Sequence, residues 1–174
     1  MSMDKWFYDR AREGKLYHAC SAGAVTLSTV SATCTGLSLA NPPSSGVLLV
    51  LKEINFAPST APAGASVVGI AMAPAVSSTE VTHGTAMVVH SGYARGSDRM
   101  TAVGKADAAS TLPNAPVWWR PLSAVVAGSS ITPAEYFAEL NGSVILPPGM
   151  HLSLSYLTTA AIGIASVTWA EVAE

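Results

Sequence analysis

From residue 16 onward the apolar positions come in short runs that alternate with polar ones, cut every few residues by Gly, Pro, Ser or Thr. That period of two, with turn residues at short intervals, is the signature of β-strands rather than helices. Strands are expected around 24–27, 36–39, 47–56, 66–72, 85–90, 117–120, 143–146, 151–156 and 161–172, some eight to ten in all. The run at 47–56 (VLLVLKEINF) begins continuously apolar and changes to alternation, as a central strand leaving a core would. In 151–156, Leu152, Leu154 and Tyr156 share one face while His151, Ser153 and Ser155 share the other. Ile162 and Ile164 lie on one phase and Val167 and Trp169 on the opposite one, which predicts a β-bulge near Ala165 and Ser166. No strand–helix–strand alternation is visible, so a parallel sheet is not expected. The pattern predicts an all-β, jelly-roll-like antiparallel sandwich over residues 18–174.

Two segments depart from this rhythm. In residues 1–17, Trp6, Phe7, Arg10 and Ala11 fall at helical spacing and Gly14 stands where a cap would end a short helix. This is a short helical or extended arm, either stapled to its own domain by Trp6 or docked elsewhere. The second is Thr132-Pro133-Ala134-Glu135, a hydroxyl N-cap followed by Pro and Glu, which predicts a turn or two of helix ending before Asn141-Gly142. Asn141-Gly142 reads first as a turn, although it opens a glycosylation sequon with Ser143.

Charge sharpens the picture. Asp, Glu, Lys and Arg make up 11% of the chain, against about 25% in an ordinary soluble domain. Residues 16–51 and 140–170 contain none of the four, whereas seven of the twenty charges fall in 1–15. Strands exposed to water normally carry Lys or Glu on their outward face and along their edges. A chain that omits them is expected to cover its strands with other protein. Net charge of −2 and the absence of a basic patch argue against nucleic acid. No apolar run reaches the roughly 20 residues of a membrane helix. The charged, aromatic N-terminus has no leader-like apolar core, so the expected site of synthesis is a cytoplasm, with Cys20 and Cys34 as free thiols.

Chemistry is sparse. His18, His83, His90 and His151 are scattered, with no Cys or carboxylate at ligand spacing, so no metal site is expected. His83 and His90, seven apart, would fall on opposite faces of one strand. Glu135 and Glu139 read as a solvated face rather than an acid–base pair. There is no phosphate-cradling glycine loop, and neither catalytic residues nor a cofactor are expected. Trp118 and Trp119 precede Arg120 on a short strand; one is expected to fill the core and the other to meet a partner.

The run Tyr8-Asp9-Arg10-Ala11-Arg12-Glu13-Gly14-Lys15-Leu16 resembles the start of small virion proteins of tailed bacteriophages. So do the corner Asn141 to Gly149 (NGSVILPPG) and the closing Ser166-Val167-Thr168-Trp169-Ala170-Glu171-Val172. The resemblance implies a jelly-roll homotrimer, not an enzyme, that decorates or cements a capsid by clamping major capsid subunits at the virion surface. Trp6, Phe7, Tyr8, Arg10 and Arg12 are then the expected capsid contacts, the rings supplying buried area and the arginines register. The competing reading is a receptor- or carbohydrate-binding module of a fibre or tail spike, using Trp118, Trp119 and the loop from Arg95 to Lys105.

Overall fold

A computed structural model describes residues 2–61, 63–93, 102–125 and 136–174. Among these, one helix and thirteen strands are formed: α1 (Met3–Arg12), β1 (Leu16–Cys20), β2 (Val25–Thr26), β3 (Thr33–Ala40), β4 (Val47–Pro58), β5 (Ser66–Met72), β6 (Thr82–Ala86), β7 (Val88–Ser91), β8 (Lys105–Thr111), β9 (Val117–Val125), β10 (Tyr136–Glu139), β11 (Ile145–Leu146), β12 (His151–Tyr156) and β13 (Ile162–Ala173). Two antiparallel sheets result, in the orders β10-β4-β13-β1-β7 and β6-β8-β3-β12-β5-β9, with β11 added to β4 and β2 to β13.

The connectivity is that of a jelly roll. Taking β1, β3, β4, β5, β9, β10, β12 and β13 as the eight principal strands, the first pairs with the last, the second with the seventh, the third with the sixth and the fourth with the fifth. A long antiparallel hairpin wound round on itself gives this nesting. The segment β6-β7-β8 is inserted between the fourth and fifth strands and widens both sheets on one side. The chain passes from one sheet to the other at the buried Met87.

Inward-facing side chains from both sheets make one core, including Leu37, Leu39, Leu49, Leu51, Ile54, Phe56, Ile70, Leu152, Leu154, Val167 and Trp169. The β4 run changes phase because its register with β13 slips between Thr168 and Trp169, leaving Lys52 as the extra residue. Leu49 and Leu51 before it and Ile54 and Phe56 after it can therefore all point inward. The bulge is thus on β4 rather than at Ala165 and Ser166. In β13 the inward positions are Gly163, Ala165, Val167 and Trp169 in one unbroken alternation, and Ile162 and Ile164 sit half-buried on the outer face. Small inward residues hid that phase. A side chain at Gly163 would collide with the Ala57 carbonyl oxygen.

Residues 136–139 are strand, not helix: Tyr136 and Ala138 point into the core and all four pair with Phe56 to Glu53. The Thr132–Glu135 capping pattern lies outside the described residues. Asn141 and Gly142 do form the expected turn, both with positive φ (43° and 80°).

On β12, Leu152 and Leu154 face the core, but His151, Ser153 and Ser155 opposite them are also buried, each 1% exposed. The chain's own loops cover that face. Ser28 bridges to Ser155, the Asn114 carbonyl meets His151 Nε2 at 3.2 Å, and Val81 and Leu112 pack on Cys34 and Ala40.

Candidate assembly surface

The N-terminal helix is locally self-sufficient. Ser2 Oγ accepts from the Lys5 amide at its N-cap, Asp4 lies in its first turn and Arg10 and Arg12 in its last. Lys5 pairs with Asp9 at 2.9 Å and Arg10 with Glu13 at 2.8 Å, and Gly14 ends the helix with φ of 71°. Phe7 is 1% exposed, seated against Val50 and Ala170 on the outer face of the β4/β13 pair, with Trp6, Leu16 and Val172 around it. The helix is therefore folded back on its own sandwich. Of the five residues expected at a capsid, Phe7 is consumed internally. Trp6 is half-buried edge-to-face on Phe7, and the Arg10 guanidinium lies over the Trp6 ring. Tyr8, 62% exposed, and Arg12, stacked over it, face outward.

Among the described residues, exposed apolar side chains also gather at the β9 and β10 edges. Strand β9 pairs with β5 and ends its sheet, and β10 pairs with β4 and ends the other, so both edges lie along one side of the sandwich. Val117, Trp118, Trp119 and Phe137 on these edges are 53%, 39%, 43% and 46% exposed. Neither tryptophan fills the core. Register slips between Ile70 and Ala71 put Trp119 in a bulge, so the two rings do not alternate across the strand. Trp118 lies over Gly69, where a Cβ would meet its ring at 3.0 Å. Arg120 is the one charged residue between 108 and 134. Arg120, Pro121 and the register slips blunt β9 as a template for strand pairing, but exposed apolar side chains rimmed by polar ones mark an interaction surface.

The histidines fall in three places, because His18 and His90 face each other across β1 and β7. His83 is on β6 and His90 on β7, in different sheets rather than on one strand. His83 Nδ1 meets Asp107 Oδ2 at 2.7 Å and its Nε2 lies 3.7 Å from Glu80. Asp107 is 1% exposed, and burial pushes its carboxyl above the usual range against the opposing pull of His83 and Lys105. His151 is pushed down by burial, partly offset by its bond to the Asn114 carbonyl. His18 is half-buried on β1. Among the described residues no three or more His, Cys, Asp or Glu side chains are grouped to hold a metal ion. Cys34 is buried and its thiol pushed up to about 11 by desolvation, whereas Cys20 is half-buried; both are free and on different sheets.

Two residues carry more structure than their sequence context suggests. Glu171 is 6% exposed, and its Oε1 accepts from the Val103 and Gly104 amides, both at 2.8 Å, and from Trp169 Nε1 at 3.2 Å. Phe137 completes the aromatic edge. The helix-start pattern just before it concealed the alternation of Tyr136, Phe137, Ala138 and Glu139, which was the available signal.

No family model, no curated protein and no solved structure matches this chain. What can be stated of its class is an antiparallel jelly-roll sandwich with an N-terminal helix.

Proposed function

We propose that this chain is a structural subunit that self-associates and decorates or cements a phage capsid. The carrying observation is the exposure of Val117, Trp118 and Trp119, in a stretch where Arg120 is the sole charge from 108 to 134, together with the exposed Phe137 on the neighbouring edge strand β10. An edge strand left in water normally carries several charges or prolines to prevent pairing. In β9, Arg120, Pro121 and two register slips blunt strand-to-strand pairing, so what the edge offers is its exposed side chains, which have the aromatic-plus-arginine composition of an interface core. Self-association as a homotrimer follows the resemblance of the Tyr8–Leu16 and Asn141–Gly149 segments to capsid-decorating virion proteins. The major capsid protein is the second partner in that reading. Tyr8 and Arg12 on the outer side of α1 are the arm residues available to it.

The test is light scattering with size-exclusion chromatography on the full chain, followed by electron microscopy of purified particles. The proposal expects a mass of three chains and density on the capsid surface. A monomer at micromolar concentration, or density confined to the tail, refutes it. The same two exposed tryptophans favour a second reading, a carbohydrate-binding module, because exposed indole rings stack on sugars. Saturable quenching of tryptophan fluorescence by a host-surface glycan, from a monomeric protein, would select that reading instead.

A further inference from the structure

The outer face of the β10-β4-β13-β1-β7 sheet carries one continuous lateral row of polar groups. Glu139 stands opposite Glu53, Glu53 opposite Thr168, Thr168 opposite His18, and His18 opposite His90. Two of these links are bonded, Thr168 Oγ1 to Glu53 Oε1 at 3.0 Å and His18 Nδ1 to Thr168 Oγ1 at 2.9 Å, and the neighbouring Lys52 Nζ reaches Glu53 Oε2 at 2.9 Å.

The row assigns the His18 tautomer. A hydroxyl has one proton, and Thr168 donates it to the Glu53 carboxylate. Burial alone would lift Glu53, but Lys52, the Thr168 hydroxyl and His18 outweigh it and hold the acid below its usual range. The Thr168 oxygen can then only accept from His18, so Nδ1 carries the hydrogen and Nε2 keeps its lone pair. An imidazole held at one nitrogen through a bond chain ending on a carboxylate is the arrangement that orients histidine ligands of metal ions.

A second imidazole stands beside it. His90 is exposed on the edge strand β7, directly across from His18, on the same outer face. Directly opposed residues of an antiparallel pair have Cβ atoms about 4.5–5.5 Å apart. Its ring makes no hydrogen bond among the described residues. We propose that His18 and His90 form a two-imidazole chelate for a borderline divalent transition-metal ion of the Ni²⁺, Cu²⁺ or Zn²⁺ class. Imidazole nitrogen suits these ions and not Mg²⁺ or Ca²⁺, and water fills the remaining coordination positions. Thr168 and Glu53 are positioning residues, acting through the orientation of His18.

The experiment is titration calorimetry of the full-length chain with NiCl₂ at neutral pH, with MgCl₂ as the control. One saturable Ni²⁺ per chain is expected, and no heat with Mg²⁺. His90→Gln, on an exposed edge position that leaves the fold intact, is expected to lose the saturable phase, and His83→Gln to keep it. Thr168→Val leaves both ligands in place and is expected to weaken Ni²⁺ by about 10–100-fold, the usual effect of removing a ligand's orienting partner. Electron paramagnetic resonance of the Cu²⁺-loaded chain should report two imidazole nitrogens in the unaltered protein and one in His90→Gln. Unchanged Ni²⁺ affinity in His90→Gln, or no saturable uptake by the unaltered chain, overturns the site.

Discussion

Replacing Phe7 by alanine separates a helix that belongs to this sandwich from an arm that is only tethered to it. Phe7 is 1% exposed and forms, with Val50 and Ala170, a small cluster of its own outside the main core. Truncating a fully buried Phe costs about 3–5 kcal/mol, as lost transfer energy plus the cavity left behind. Two features hold the loss to the lower end. The cluster lies on an outer face, so surrounding side chains and water can close on the gap, and the helix can undock locally before the sandwich unfolds. A loss of about 3 kcal/mol corresponds to a fall in Tm of roughly 6–12 °C for a chain of this size. Thermal and urea unfolding at fixed protein concentration measures it, with hydrogen exchange on residues 3–12 showing whether the loss is local. Tyr8→Ala on the same helix is the control; at 62% exposure it should change stability by no more than about 0.5 kcal/mol. Identical midpoints and exchange rates for Phe7→Ala and the parent would refute the docked helix and return it to the role of a free arm.

Four further outcomes are expected. Trp118→Ser together with Trp119→Ser should shift the light-scattering mass toward one chain while leaving the unfolding midpoint of the monomer little changed; an intact oligomer would remove this edge from the interface. Glu171→Ala strands three donors, the amides of Val103 and Gly104 and the Trp169 indole; at about 1–3 kcal/mol for an unsatisfied buried group, a loss of at least about 2 kcal/mol in urea unfolding is expected. His151 is buried with its pKa lowered from 6.5, so its contribution to stability is complete above that value and is lost as pH falls through the lower folded-state value. His151→Asn should accordingly flatten the stability–pH curve below about pH 6.5, and an unaltered slope in that variant would count against it. Iodoacetamide on the native chain should modify Cys20 well before Cys34, whose thiol is buried and raised to about 11, and mass spectrometry of tryptic peptides reads the order.

Much of the architecture was legible because a sheet writes itself into sequence with a period of two. Leu152 and Leu154 inward, the Asn141-Gly142 turn, the helix ending at Gly14 and the all-β class each depend on neighbours within a few residues. Short-range sterics and hydrogen bonding settle such features before the rest of the chain is placed. The nesting of first strand with last, second with seventh, and so on was not written locally. It depends on which edges meet once the hairpin has wound up, and so on contacts between residues far apart in the chain, as when Leu16 pairs with Ala170. The same holds for the bulge at Lys52. Alternation in β13 pointed to Ala165 and Ser166, but the inward sites there hold glycine and alanine, whose burial carries almost no hydrophobic signal. Only pairing with β4 located the slip. Trp118 and Trp119 were visible as an aromatic pair, yet their shared exposure depends on a bulge against β5. The His18–Thr168–Glu53 chain joins residues from three strands, and His90 adds a fourth. Sequence determined which side chains were available and which segments would be strands. Tertiary structure decided which strands became neighbours, and therefore which polar groups could share a proton or a metal ion.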